Sequence, residues 1–424
     1  MKIRMAYGRT GMDVDVPDHN LAAVLTMQES APVSDPGAAL LAMLRAPLGG
    51  RPLVEIARGK RTATIVICDI TRPVPNRVIL PPVFAELARA GITLDNITIL
   101  VATGLHRPST PAEIITMLGE EIAGSVRVLS HHAKEIGEQR FLGTTPQGTP
   151  VYVDETYCAA DVKITTGFIE PHLMAGFSGG RKLIAPGCAG EETIKALHSP
   201  RFIEHPECRE GSIDNNPLHA ELLRIAALAG HDLIVNVALD ADRRITGIFA
   251  GDPVIAHATG VSHVRAAVSA HVPSPVDIVV TSAAGYPLDL TYYQTVKGMT
   301  AAAPVLKPGG TLIIAAECAE GLGGPEFTRM ATTQQTARGF LDTLQQRPVE
   351  VDQWQLEECA KVAAIHDVVL VSGGIGDDDL RRLFVRHQPD LHAALEDGLR
   401  RHGTDARVAV IPRGPYTLVG VAAG

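Results

Sequence analysis

Apolar residues along this chain come in short unbroken runs, with little strict alternation. Residues 63–68 (ATIVIC), 96–102 (NITILVA), 276–281 (VDIVVT), 311–316 and 408–411 are of this kind. An unbroken run fits a strand covered on both faces, as in a parallel sheet, because alternation is needed only where one face meets water. Further strands are expected over 3–7, 126–129, 151–153, 160–166 and 367–372. Residues 15–18 read as a polar turn. An antiparallel pair is expected over 233–239 and 245–250, around the polar turn 240–244. Between the strands, helical patterns cover 36–44, 78–90, 112–118, 218–229, 252–268 and 348–364. The chain thus repeats a unit of strand, glycine or polar turn, and helix, and the fold class is α/β in both halves. Pro273 and Pro275 sit where a linker would. The expected division is an N-terminal α/β domain over 1–272 and a C-terminal α/β domain over 273–424, with the active site in the cleft between them.

Length agrees with two domains, since 424 residues exceed what one ordinary core holds. The net charge of -9 and the lack of any long basic tract argue against nucleic acid as a partner, and an aromatic content of 4% argues against a base-stacking platform. Six scattered cysteines form no CxxC pair and are expected as buried thiols in a reducing compartment. The N-terminus has no signal-peptide apolar core, and no 18-residue apolar run is present. A soluble cytoplasmic protein without a membrane partner is the expectation. No GxGxxG follows a strand and no GxxxxGK[ST] occurs, so a diffusible dinucleotide or a P-loop nucleotide is not indicated.

Polar residues gather where the buried strands end. Asp69 and Arg72 follow the strand at 63–68, and His106 and Arg107 follow the strand at 96–102. In a parallel sheet those carboxyl ends are where sites are built. The densest stretch is 167–198, GFIEPHLMAGFSGGRKLIAPGCAGEETIKALH. It holds His172, a Ser178-Gly179-Gly180 turn able to present amides to a phosphate, then Lys182, then a short helix over 191–197 ending at His198. Arg181 is expected to meet a phosphate or solvent. His131 and His132 are expected at the surface or in a supporting role. In the second half Tyr292, Tyr293, Gln294 and Lys297 fall near a helix start, and Trp354 lies in a helix.

Two histidines can trade protons near neutral pH. Arg72 offers a planar fork for a carboxylate, and Lys297 a point charge for the same anion. His198 is a plausible imidazole ligand for a divalent transition metal, although a single histidine is a poor metal site. These residues suit an enzyme acting on a small acidic substrate with a phosphorylated or metal-bearing cofactor. A metal-assisted hydrolase or lyase using His106, His172 and His198 stays open, as does a non-catalytic nucleotide-binding protein.

The motifs DITRPVP (69–75), GLHRP (104–108), PHLMAGFSGGRK (171–182), PGCAG (186–190), TIKALH (193–198), YYQTVKG (292–298), AECAEGLG (316–323) and QWQ (353–355) resemble those of the nickel-pincer-dependent lactate racemase family. The resemblance spans nearly the whole chain. It implies a racemase or epimerase that inverts C2 of a 2-hydroxy acid. The cofactor it implies is a nickel-pincer nucleotide, joined covalently to Lys182, with His198 as the protein ligand of nickel. The organic group then supplies the metal's other ligands. The resemblance further implies His106 and His172 as the paired proton carriers and Arg72 and Lys297 as the carboxylate clamp. Gln294 and Trp354 are implied as further substrate-site residues, with Asp69 orienting a catalytic or cofactor group. Ser178, Gly179 and Gly180 would sit against the cofactor. Hydride would pass from C2 to the cofactor ring and back, and cofactor-making enzymes would be needed for maturation.

Overall fold

The computed structural model describes residues 1–422 and contains two six-stranded sheets. The first runs in the order Ile245–Gly251, Leu233–Leu239, Val162–Phe168, Ala63–Cys68, Ile97–Ala102, Arg127–Ser130. All its pairs are parallel except the Leu233–Leu239 and Ile245–Gly251 hairpin, the antiparallel pair expected from the sequence. From Ala63–Cys68 the chain builds outward through Ile97–Ala102 to Arg127–Ser130. It then returns to place Val162–Phe168 on the other side of Ala63–Cys68. The strand order therefore reverses between those two strands, and the loops at their carboxyl ends diverge to leave a crevice. Asp69 and Arg72 follow one of the two strands; His172 and Lys182 follow the other.

The second sheet is parallel throughout, in the order Arg386–His387, Asp367–Val371, Leu306–Ala315, Val276–Ser282, Val408–Ile411, Leu21–Val24. Its side chains show why the apolar runs are unbroken. Val279, Leu312, Ile314, Leu370 and Ala409 pack into one core. Their neighbours Val280, Ile313, Ala315, Val369 and Val410 pack into another on the opposite face. Successive residues of a strand point to opposite faces, so a strand buried on both sides must be apolar at every position.

The expected domain boundary needs correction. Leu21–Val24 forms an edge of the second sheet, beside Val408–Ile411. The hairpin of Lys2–Met5 and Met12–Asp15 sends Ile3, Met5 and Val14 into the core that holds Val280 and Ile313. The chain therefore begins in the C-terminal unit before it builds the N-terminal one. Residues 269–272 are likewise a strand paired with Leu418–Val421, so the second unit starts slightly before Pro273. All six cysteines are free and buried, as expected. Among the described residues no helix is long and apolar enough to cross a membrane.

Candidate active site

A cavity of about 130 Å³ lies between the two units. Asp69, Arg72, His106, His172, Ser178, Gly179, Lys182, His198, Gln294, Lys297 and Trp354 all line it, so of the expected site residues only Gly180 does not. The N-terminal side is built from three adjacent strand ends. The C-terminal side is built from two helices. Helix Tyr292–Ala302, capped by the Thr291 hydroxyl accepting from the Gln294 amide, brings Tyr293, Gln294 and Lys297 to the cavity, with Lys297 four residues after Tyr293 and three after Gln294. Helix Gln353–Ala363 presents Trp354 and Gln355.

Asp69 is buried and its Oδ2 lies 2.6 Å from Nδ1 of His106. Its other oxygen accepts from the Thr71 amide and hydroxyl, at 3.2 and 2.5 Å. Burial works to raise the Asp69 carboxyl, but His106, Arg72 and Thr71 together outweigh it and hold it well below the usual carboxylate range. A carboxylate at Nδ1 requires a proton there, which leaves Nε2 of neutral His106 as the basic nitrogen. His172 is held the other way. Its Nδ1 accepts from the Met174 and Ala175 amides, both at 3.2 Å, so its proton sits on Nε2 in the neutral ring. Burial, with Lys182, Lys297 and Arg72 nearby, pushes His172 well below its ordinary value. The two imidazoles thus present opposite faces of proton chemistry to the cavity, one an acceptor and one a donor.

The Arg72 guanidinium lies between two carboxylates. Its Nε is 3.6 Å from Glu170 Oε1, and its Nη1 is 3.2 Å from the Thr71 hydroxyl and 4.0 Å from Asp69. Lys297, from the opposite unit, is pulled down to about 7 by burial first and Arg72 next, with Glu170 and Asp69 working upward. Gln294 is buried and its Oε1 has no partner among the described residues. An unpaired buried acceptor lining a cavity is one a ligand donor would satisfy.

Lys182 lies on the turn Gly180–Leu183. Burial, followed by Arg72 and Lys297, drives its amine well below its ordinary value, which favours the neutral, nucleophilic form. His198 closes helix Glu191–Leu197, where its Nδ1 donates to the Ile194 carbonyl at 2.8 Å. Burial lowers His198 to about 4, against that hydrogen bond, so the Nε2 lone pair is free for a metal at neutral pH. The Trp354 ring lies 4.5 Å from the His198 ring and its Nε1 donates to the Tyr293 hydroxyl at 3.2 Å. Among the described residues no group of three or more His, Cys, Asp and Glu could hold a metal, so His198 needs a cofactor bringing further ligands of its own. A buried lysine whose charged form is disfavoured and one lone imidazole fit a tethered, metal-chelating organic group.

Three sequence expectations change. The Ser178-Gly179-Gly180 turn does not offer a free row of amides. The Ser178 amide donates to the Glu170 carbonyl and the Gly180 amide to Asn236 Oδ1, while the Ser178 hydroxyl donates to the Phe168 carbonyl. Ser178 and Gly180 therefore brace the loop from within. Arg181 meets neither phosphate nor solvent. It is 1% exposed and donates to the carbonyls of Ala175, Phe177 and Gly179 and to His257. His131 is buried as well, with its ring nitrogens on Asp154 at 2.8 Å and the Ala189 carbonyl at 2.9 Å; His132 is the surface residue of the two, paired with Glu138. Sequence reasoning missed Glu170, Asp352 and any part for Tyr293. Glu170 and Tyr293 lie inside motifs already singled out. Asp352 takes a left-handed backbone (φ 66°) just before helix Gln353–Ala363, and burial raises its carboxyl to about 6. Asp352 and Tyr293 both line the cavity, and no local pattern marks a left-handed aspartate in advance.

The comparisons with known proteins agree with this arrangement. Residues 7–211 match the lactate racemase N-terminal domain and residues 272–419 the lactate racemase C-terminal domain. A lactate racemase from Thermoanaerobacterium thermosaccharolyticum is 34% identical over 423 residues, which is 98% of this chain and 99% of that one. A lactate racemase from Lactiplantibacillus plantarum is 38% identical over 377 residues, 88% of each chain. The solved lactate racemase apoprotein from T. thermosaccharolyticum superposes with a TM-score of 0.92 at 34% identity, over 99% of this chain and 100% of that one. A Thermotoga maritima protein of 18% identity shares the fold, with a TM-score of 0.72 over 92% of this chain and 99% of its own. With both domains matched and full-length relatives above 30% identity, this chain belongs to the lactate racemase family.

Proposed function

We propose that this protein is an isomerase that inverts C2 of a small 2-hydroxy acid, using the nickel-pincer nucleotide of its family. The observation that carries the reading is the cavity itself. It gathers an acceptor imidazole, a donor imidazole, an arginine and a lysine from opposite units, an amine whose charged form burial disfavours and an imidazole with a free Nε2. Lys182 would hold the cofactor and His198 its nickel. When bound, that group supplies reversible two-electron acceptance, so that C2 can pass through a flat keto state.

The protein's own work is orientation, charge and proton transfer. Arg72 and Lys297 hold the substrate carboxylate from two sides, which fixes C2 and its hydroxyl over the cavity. The Nε2 of His106 takes the hydroxyl proton, and the Asp69 carboxylate stabilises the imidazolium so formed. The Nε2–H of His172 would donate a hydrogen bond to the keto oxygen, and the imidazolium of His106 would return its proton to that oxygen when the C2–H bond is rebuilt. Trp354 and Tyr293 close the cavity around His198 and His106 with aromatic surface. Supply of the cofactor requires enzymes that make and insert it, and we assign the protein to the cytoplasm with them.

The test is coexpression with cofactor-making enzymes, followed by intact mass, peptide mapping and an inversion assay over lactate, aryl, diacid and sugar-acid substrates. The expected result is an adduct on Lys182 and inversion of at least one class. Fully loaded protein that inverts none would move the reading to a hydrolase or lyase.

A further inference from the structure

Glu170 has no part in the proposed mechanism, yet it is the carboxylate at the Nε edge of the Arg72 fork. It stands two residues past strand Val162–Phe168 and immediately before Pro171 and His172. Its backbone is pinned at both ends, since its amide donates to the Ser178 hydroxyl at 3.0 Å and its carbonyl accepts from the Ser178 amide at 2.9 Å. The side chain is 13% exposed, and Oε1 reaches to 3.6 Å from Arg72 Nε. Arg72 then has Nε turned to Glu170 and Nη1 turned to Thr71 and Asp69. Only Nη2 has no protein partner among the described residues.

We propose that Glu170 is a positioning residue for the carboxylate clamp: it orients Arg72 from the Nε side. The inference rests on the 2-hydroxy acid reading of the site. A carboxylate 3.6 Å from Nε acts by charge and not through a hydrogen bond, and it biases the guanidinium so that its remaining donors favour one orientation toward an incoming carboxylate. Without Glu170, the substrate would have to order that side chain itself, which weakens binding more than turnover.

The charge argument runs alongside. Glu170 is faced by Arg72, Lys297 and Lys182, and it also acts on the Tyr416 phenol. Lys297 is faced by Arg72, Glu170 and Asp69; the first lowers it and the two carboxylates raise it. An ammonium must be protonated to hold an anion, so substrate capture falls as pH rises through the Lys297 pKa. Removing the Glu170 charge lowers that pKa further, and capture is then lost at lower pH.

The experiment uses holoenzyme whose cofactor content is fixed by intact mass, and reads kcat, KM and the pH profile of kcat/KM on the substrate that wild type inverts. For Glu170→Gln the expected result is a KM raised about tenfold with kcat changed far less, and an alkaline limb moved to lower pH by roughly one unit. For Glu170→Asp, which keeps the charge but shortens the reach, the expected result is a raised KM with the alkaline limb in place. A Gln variant that keeps the wild-type limb, or that loses kcat and KM together, overturns the proposal. Should the Gln variant fail to fold, an Asp variant with unaltered KM overturns it equally. Wild-type holoenzyme that inverts nothing would instead refute the reading on which the inference rests.

Discussion

Asp69 decides what His106 can do, because a carboxylate 2.6 Å from Nδ1 leaves Nε2 as the basic nitrogen. Asp69→Asn can accept or donate at that position, so it no longer fixes the proton on Nδ1 or stabilises the imidazolium. We expect kcat to fall by about 10²–10⁴-fold with cofactor content and circular dichroism unchanged. A loss below threefold would show that His106 does not depend on Asp69. His198 makes a parallel case. Its Nδ1 is spent on Ile194, so Nε2 alone faces a metal. His198→Ala removes that nitrogen at the cost of one hydrogen bond at a helix end, worth about 1 kcal/mol. Metal analysis of coexpressed protein should find most of the nickel gone while thermal unfolding shifts by only a few degrees. Nickel retained at wild-type stoichiometry would remove His198 from the metal site. Most of the candidate residues that line the cavity could be picked out in the sequence, since histidine and arginine just past buried strands have few structural reasons to be there. Glu170 and Arg181 were not. Whether a charged side chain faces substrate, solvent or a shell of carbonyls is settled by the fold around it.

The loop from Gly167 to Gly190 acts as one braced element, although its glycines suggest suppleness. Arg181 satisfies carbonyls from Ala175, Phe177 and Gly179 at once, and burial pulls it down only to about 9, so it stays charged at neutral pH. Asn216 donates to the Met174 carbonyl at 2.9 Å, and the Gly211 amide to the Gly176 carbonyl at 3.0 Å. The polar stretch between Pro200 and Asn216, which reads as irregular, is thus the clamp that holds the His172 side of the loop. Gly176 marks where the clamp is tightest. Its φ is +75°, and a Cβ there would lie 1.8 Å from the Ser212 carbonyl oxygen. Gly176→Ala should therefore cost at least about 2 kcal/mol, read by urea unfolding. A cost under about 0.5 kcal/mol would mean that the loop and the clamp are free to separate. The sequence signalled this loop strongly through its glycine spacing, but it suggested a row of free amides. The Ser178 and Gly180 amides prove to be spent, on Glu170 and Asn236.

At the scale of the whole molecule, two sheet-centred units share one cavity, the first lining it with strand ends and the second with two helices. The buried strands were legible because double-faced burial forces unbroken apolar runs. The edge strand Leu21–Val24 was not, since three half-buried residues and an exposed valine, two of the four being alanine, carry little pattern. That gap hid the return of the N-terminus to the second sheet and displaced the expected domain limits. Contacts across the cleft are of two kinds, exposed ion pairs and apolar packing. The Lys134–Glu326 ion pair, at 52% and 35% exposure, is worth at most about 1 kcal/mol. The units are then held in register mainly by side chains around the cavity, such as Trp354, which packs into the first unit's core. A carboxylate bridging Arg72 and Lys297 adds to that hold only when substrate is present. The central claim is that C2 is inverted through a flat keto state, with the imidazoles moving only the hydroxyl proton. The most direct measurement is inversion of C2-deuterated 2-hydroxy acid by loaded enzyme in ordinary water. The account predicts that most of the deuterium stays at C2 in the inverted product. Inversion with complete loss of the label to solvent would mean that His106 or His172 removes the C2 proton itself, and would contradict the account.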